Sequence, residues 1–263
     1  MKTILFIIPL ISQKHCKNWD ETCFYLNRTL TSIEGQESDS YYTLIVCNET
    51  PNLSQNFKNT TILNTNIIIN KPYCLNVGRI DKQQKVYRGL IYTRDLIPNY
   101  VMILDADDLI HKNLVSYTNQ NSKYDGFIIN KGFRHDIGKS KLAKLHWFHL
   151  VSGSSVIFPY DPHDFETYNK TSYMNFYMTK IDHNKNIEKD FRTRNIKYKK
   201  VPFFAAIYTR GHGGHLRDVG VRPRVPSIKQ KMDRLRKIIS RLSGKKTIDD
   251  HIIRDFPGIT TIT

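Results

Sequence analysis

Short uninterrupted apolar runs alternate along this chain with longer stretches in which apolar positions recur every three or four residues. The first pattern marks strands buried on both faces, and the second marks amphipathic helices. Residues 3–12 (TILFIIPLIS) predict a first strand ending at the polar Ser12 and Gln13. Residues 18–34 predict a helix capped by Asn18 or Asp20 and closed by Gly35, with Phe24, Leu26, Leu30 and Ile33 offered to a sheet. A second strand follows at 42–47 and a third at 62–69, and 80–97 reads as a helix lined by Ile80, Val86, Leu90, Ile91 and Leu96. Beyond these, the pattern predicts a strand at 100–104, a helix at 111–121, strands at 124–130 and 197–208, and helices at 164–180 and 184–195. Strands and helices in this alternation predict an α/β fold with a mostly parallel central sheet flanked by helices.

Two features at the ends of the chain qualify that picture. Lys2 followed by ILFIIPLI imitates a secretory signal, but the run is short, is broken by Pro9 and lacks a small-residue cleavage site, so it reads as a buried strand. No run approaches the roughly 20 apolar residues of a transmembrane helix. From Arg222 to Lys246, ten basic residues face one acid, Asp233, while Ile228, Met232, Leu235, Ile239 and Leu242 recur at helical spacing. This predicts a basic amphipathic helix that meets an anionic membrane surface, binds RNA or packs on the domain, the membrane role being preferred.

The most informative stretch is 100–110, YVMILDADDLI, where a buried strand runs directly into Asp105, Asp107 and Asp108. The carboxyl ends of strands in open α/β sheets are where ligands bind. Crowded carboxylates there repel one another unless a cation or hydrogen-bond donors are present. Their oxygens suit Mg²⁺ or Mn²⁺. Taken alone, the DxD tripeptide reads more readily as a helix cap than as a metal site, and it is the buried strand before it that favours the site. Arg79, Asp81, Lys82 and Lys85 lie at the predicted start of the 80–97 helix, where cations run against the macrodipole, and a bound diphosphate would explain them. Between Lys144 and Phe158, Trp147 and Phe148 stand beside Gly153, Ser154 and Ser155. Aromatic faces next to hydroxyls suit a sugar-binding wall, with packing of Trp147 and Phe148 in the core as the alternative, and Gly132 permits a close approach of backbone.

A buried strand ending in LDADD, preceded by a helix carrying Asp81 and Lys82 and by the opening strand FIIPLIS, resembles GT-A type glycosyltransferases, close to the family 2-like bacterial enzymes. The resemblance covers roughly residues 1 to 215 and is strongest over 79–108. It implies a nucleotide-sugar donor, a UDP-sugar, whose diphosphate is bridged by Mn²⁺ or Mg²⁺ at Asp105 and Asp107, with His212, or else His215, as a further ligand. It also implies nucleotide contacts at Pro9, Ser12, Glu49, Asp81, Lys82, Asp105 and Ala106, although Cys47-Asn48-Glu49 stands where the family usually has an acid after its second strand. Asp182 matches the position of the family's general base, with Asp190 in reserve and a helix cap as the alternative role. Trp147, Gly153, Ser154 and Ser155 are assigned to sugar or acceptor.

Composition bounds the remainder. With 263 residues, 40% hydrophobic and 11% aromatic, the chain is neither disordered nor large enough for several cores. The expected division is a catalytic domain over 1–221, with a nucleotide half (1–110) and an acceptor half (111–221), and a basic tail over 222–263. A formal charge of +16, of which the 222–246 segment supplies +9, points to an anionic partner. Cys16, Cys23, Cys47 and Cys74 lack zinc-site spacing and suit a reduced, cytoplasmic protein, peripheral at the inner face of a membrane. The functional expectation is transfer of a sugar to a cell-surface polysaccharide or lipid-linked glycan. The alternative is a nucleic-acid-binding protein driven by charge, against which no RNA- or DNA-binding motif appears, so nucleic acid is not expected as a partner.

Overall fold

The computed structural model describes residues 2–68, 75–160, 186–211 and 244–259. The chain enters β1 (Ile4–Pro9), crosses through α1 (Trp19–Glu34) to β2 (Tyr41–Cys47), and runs on to β3 (Thr60–Asn64), α2 (Leu75–Tyr92) and β4 (Tyr100–Ile103). β1 lies parallel between β2 and β4, and β3 adds in parallel beside β2. Next come β5 (Leu109–Ile110), α3 (Leu114–Gln120), β6 (Gly126–Asp136), β7 (Lys141–Leu145) and β8 (Val156–Pro159). They are followed by α4 (Ile187–Thr193), β9 (Tyr198–Arg210), β10 (Lys245–Thr247) and α5 (Asp250–Asp255). The sheet order is β10-β7-β6-β8-β4-β1-β2-β3, with β9 parallel to β6 and antiparallel to β5. The fold is therefore α/β and GT-A-like, parallel in its first half and mixed beyond β4.

The uninterrupted apolar run of β1 follows from alternation across the pleat. Ile4, Phe6 and Ile8 pack with Leu26, Leu30 and Ile33 of α1 and Leu114 and Val115 of α3. Leu5 and Ile7 pack on the other face with Val86 and Leu90 of α2 and Ile187 and Phe191 of α4. Both faces are covered, so neither parity of residue is polar. The N-cap of α1 is Asn18, whose side chain accepts from the Glu21 amide.

Several boundaries differ from expectation for identifiable reasons. Phe24 stands two positions from Leu26, about 200° round the helix, and is exposed, while Tyr25 is buried in its place. The third strand ends at Asn64, and Ile68 is exposed. α2 is helical from Leu75, so Arg79, Asp81, Lys82 and Lys85 lie within it and not at its start, and Ile80 and Leu96 face solvent. Leu109 and Ile110 are taken up as a strand against β9, so α3 begins only at Leu114. At Gly132 the close approach is made by the Phe148 ring, 2.2 Å from where a Cβ would stand. The predicted helix at 164–180 lies outside the described residues.

The C-terminal part of the chain is built into the body of the fold. β10 extends the sheet beyond β7, and Ile248, Ile252, Phe256 and Ile259 join Leu109, Phe133, Leu142 and Ile207 in a third apolar cluster. Phe256 meets the His111 ring edge-on at 5.2 Å. Gly258 holds φ at +87°, and a Cβ there would lie 2.3 Å from the Arg28 carbonyl oxygen, so only glycine fits against α1. Of the expected tail, 244–259 thus packs on the sheet, whereas 222–243 lie outside the described residues. Among the described residues no helix is long and apolar enough to cross a membrane.

Candidate active site

The acids follow β4 immediately, at the carboxyl end of the parallel half of the sheet and beside the ends of β1 and β2. Lys82 of α2 forms an ion pair with the Asp105 carboxylate, and the Asp105 amide donates to Ser154 Oγ at 2.9 Å. Asp108 is fully buried: its Oδ2 accepts from Ser152 Oγ at 3.0 Å and its Oδ1 from the Thr209 amide at 3.2 Å. Burial, reinforced by Asp107 and Asp105, pushes the Asp108 carboxyl well above the usual carboxylate range. Asp107 is half-buried; burial raises the Tyr25 pKa and lowers that of Arg28, and the Asp107 charge is the last of the further influences on each. One flanking helix, α2, thus brings a basic residue to the first of the DxD acids.

The ends of the first two strands are tied by one carboxylate. Glu49 Oε1 accepts from Ser12 Oγ at 3.0 Å and Oε2 accepts from the Gln13 amide at 2.9 Å. This arrangement makes Glu49 a brace between the ends of β1 and β2. Pro9, half-buried, closes β1. Lys85 is fully buried and donates to Asp81 Oδ2 at 2.8 Å and to the Leu10 carbonyl at 2.7 Å. Lys82 and Lys85 therefore need no bound diphosphate to account for them, since Asp105 and Asp81 supply their counter-charges.

Ser154 and Ser155, expected to face donor or acceptor, are fully buried. Ser155 Oγ donates to the Ser152 carbonyl at 2.8 Å, and Ser154 Oγ receives the Asp105 amide. They shape the loop that carries the acids, because a buried loop must find partners for its own polar groups. Gly153 and Ala106 are half-buried. Trp147 is 46% exposed, whereas Phe148 is buried against Gly132. Asp190 sits in the first turn of α4, its amide donating to Asn186 O and its carbonyl accepting from the Arg194 amide. Asp182, His212 and His215 lie outside the described residues.

Among the described residues no group of three His, Cys, Asp or Glu side chains could hold a metal ion. Asp105 and Asp107 nevertheless fit the requirement for Mg²⁺ or Mn²⁺, which is usually met by one or two carboxylates completed by substrate phosphate and water. Asp108 does not fit, because both its oxygens are engaged within the protein. A cation at Asp105 would share that carboxylate with Lys82.

Pattern reading passed over Ser152, Thr209 and Arg28, and referred Lys85 to a bound diphosphate and not to Asp81. Lys85 had a signal, its i+4 spacing from Asp81. Arg28 had another, a charge on the otherwise neutral inner face of α1. Ser152 and Thr209 had none, since each depends on which loops the sheet order brings together.

No protein-family model matches the chain, and no curated protein matches its sequence. Solved structures similar in fold include S. aureus TarS 1–349, at 11% identity and a TM-score of 0.42, covering 80% of this chain and 60% of that one. They also include a putative nucleotide-diphospho-sugar transferase from Desulfovibrio desulfuricans G20, at 11% identity and a TM-score of 0.38, covering 92% of this chain and 97% of that one. A third is 4-diphosphocytidyl-2C-methyl-D-erythritol synthase, at 9% identity and a TM-score of 0.37, covering 91% and 99%. The chain spans 60% of the TarS 1–349 structure and 37% of another TarS structure. These are likenesses of fold and carry nothing about substrate.

Proposed function

We propose that the chain is a glycosyltransferase that moves a sugar from a nucleoside diphosphate, UDP in the first instance, to a glycan of a cell-surface polysaccharide or a lipid-linked acceptor. The observation that carries this reading is the acid loop at the carboxyl end of β4, beside strand ends braced through Ser12 and Glu49 and with Lys82 on Asp105. In this reading Asp105 and Asp107 hold Mn²⁺ or Mg²⁺, with His212 as a further ligand, and the ion supplies positive charge to the donor diphosphate. The ends of β1 and β2 receive base and ribose, Lys82 faces the phosphates, and exposed Trp147 offers a stacking face to sugar. Asp182, or Asp190, takes the acceptor proton. The basic 222–243 stretch holds the enzyme at anionic lipid on the cytoplasmic side.

A panel of nucleotide sugars with Mn²⁺, scored by release of free nucleoside diphosphate through slow hydrolysis without acceptor, tests this directly. Asp107→Asn should abolish Mn²⁺-dependent nucleotide binding with the fold intact, and unchanged affinity would remove the assignment. Salt-sensitive RNA binding without nucleotide-sugar turnover would favour the nucleic-acid alternative.

A further inference from the structure

Arg28 is a cation buried without its due of partners. It is 5% exposed, its Nε donates to the Gly258 carbonyl at 2.8 Å, and both Nη atoms lack any hydrogen-bond partner. The rings of Tyr25 and Phe24, with centroids 5.4 and 5.9 Å from the guanidinium carbon, offset only part of that deficit. Leaving buried charged donors unpaired is among the costlier defects a fold can carry. Two further orphaned polar atoms belong to the same neighbourhood. His135 of β6 gives Nε2 to the Lys139 carbonyl at 3.0 Å and leaves Nδ1 unsatisfied; β6 pairs with β9 and β9 with β5, whose Ile110 amide donates to Ser32 Oγ, one turn on from Arg28, at 3.2 Å. Thr209 of β9, the register partner of His135, leaves its hydroxyl unsatisfied while its amide holds Asp108. Burial lowers the Arg28 pKa, and the charges of Tyr25 and then Asp107 pull the other way.

We propose that Arg28, with Thr209 and His135, forms an oxyanion subsite on the α1 side of the acid loop that takes a phosphate group of a substrate. The planar guanidinium presents its two free Nη ends as a fork for two phosphate oxygens. The Thr209 hydroxyl donates to a third. The His135 Nδ1, a bare acceptor when Nε2 carries the proton, receives a phosphate hydroxyl. Gly258 fixes the fork by anchoring Nε, which is a reason for the C-terminal segment to close on α1 at a position where only glycine fits. This assignment rests on the transferase reading for the identity of the substrate, but the subsite itself is testable without turnover.

The test titrates the full chain with inorganic phosphate against chloride at matched ionic strength, following thermal stability and heat of binding. Saturable stabilisation is expected, and Arg28→Met should weaken phosphate affinity about tenfold or more. The same variant should be at least as stable as the parent without phosphate, because an uncompensated buried cation is gone. Thr209→Val, which keeps shape and charge, should lose affinity severalfold and guards against an Arg28 variant that does not fold. Nucleotide titrations distinguish the two sources of the phosphate: UDP affinity falling in parallel assigns the donor diphosphate, and UDP affinity unchanged assigns a phosphate on the acceptor. Absence of saturable phosphate binding to the parent, or equal binding by both variants, overturns the subsite. Loss of nucleotide binding in Asp107→Asn with phosphate binding preserved would separate this inference from the fate of the metal assignment.

Discussion

Ser152 Oγ donates to Asp108 Oδ2 across 3.0 Å, and the same hydroxyl accepts the Ser154 amide at 3.0 Å. Because Ser154 Oγ in turn accepts the Asp105 amide, a continuous relay pins both ends of the DxD turn to the loop before β8. Ser152→Ala breaks it at the centre and leaves a buried carboxylate oxygen and a buried amide short of partners. A loss of roughly 1–3 kcal/mol is expected in urea unfolding, with weaker nucleotide binding. Ser154→Ala removes the acceptor of the Asp105 amide and a hydroxyl that bonds Asp108, and should cost a similar amount; equal stability of all three proteins would show that the relay does not order the loop.

The buried Lys85–Asp81 pair gives a second prediction. With Lys85 fully buried, removing one partner leaves the other charge stranded in the interior. Lys85→Met should therefore destabilise by about 3–5 kcal/mol, whereas Lys85→Met with Asp81→Asn should recover much of that loss. A double variant as unstable as the sum of the single ones would refute the coupling.

How far the sequence carried the fold follows from the same residues. The strands of the parallel half were legible because burial on both faces writes an unbroken apolar run, as in β1 and in Tyr100–Ile103. The place of the acids at the carboxyl end of a strand was legible because three carboxylates directly follow such a run. What stayed hidden was decided by neighbours distant in sequence. Ser154 carries the same hydroxyl whether it faces a sugar or an amide 49 positions away. The residues of β10 and α5 read as the end of a basic tail, yet Phe256 and Ile252 complete an apolar cluster whose other half is Phe133 and Ile207. The first turn of α2, from Leu75, went unmarked because the apolar stripe rests on Val86 and Leu90 farther along, and Ile80, counted in that stripe, is exposed.

Two histidines set an acid limit to stability. Burial lowers the His111 pKa against the pull of Asp255 and Glu37 and alongside Lys112, and burial likewise lowers that of His135, beside the Lys139 carbonyl, Arg28 and Asp136. The unfolded chain then binds more protons than the folded one between each depressed value and the ordinary value of 6.5. Stability is fully present above 6.5 and is lost as the pH falls below it. Melting temperatures from pH 8 to pH 5 should show that decline, and His111→Phe, which suits a site between Phe203 and Phe256, should flatten part of it. A His111→Phe profile parallel to the parent's would discharge His111 from the role.

The last prediction separates membrane attraction from folding in the C-terminal quarter. Deleting 226–263 is the obvious test of the basic stretch, but it also removes β10, α5 and the apolar contacts of Ile248, Ile252, Phe256 and Ile259. Burying such a side chain contributes about 1.5–3 kcal/mol, so the truncated chain should melt well below the parent whatever the basic residues do. Charge reversal avoids this confusion. Replacing Arg234, Arg236, Lys237 and Arg241 by Glu leaves the chain from 244 onward in place while inverting the field of the segment. Attraction to anionic lipid is worth about 1 kcal/mol per basic residue near the surface and is screened as the Debye length shortens. The parent should therefore bind anionic vesicles in low salt, bind less in high salt and ignore neutral vesicles, while the reversed variant should lose the anionic binding and keep nucleotide-sugar hydrolysis. Equal binding of both proteins to anionic vesicles would place the attraction elsewhere on the molecule, and a drop in melting temperature of the reversed variant would show that this stretch packs against the domain.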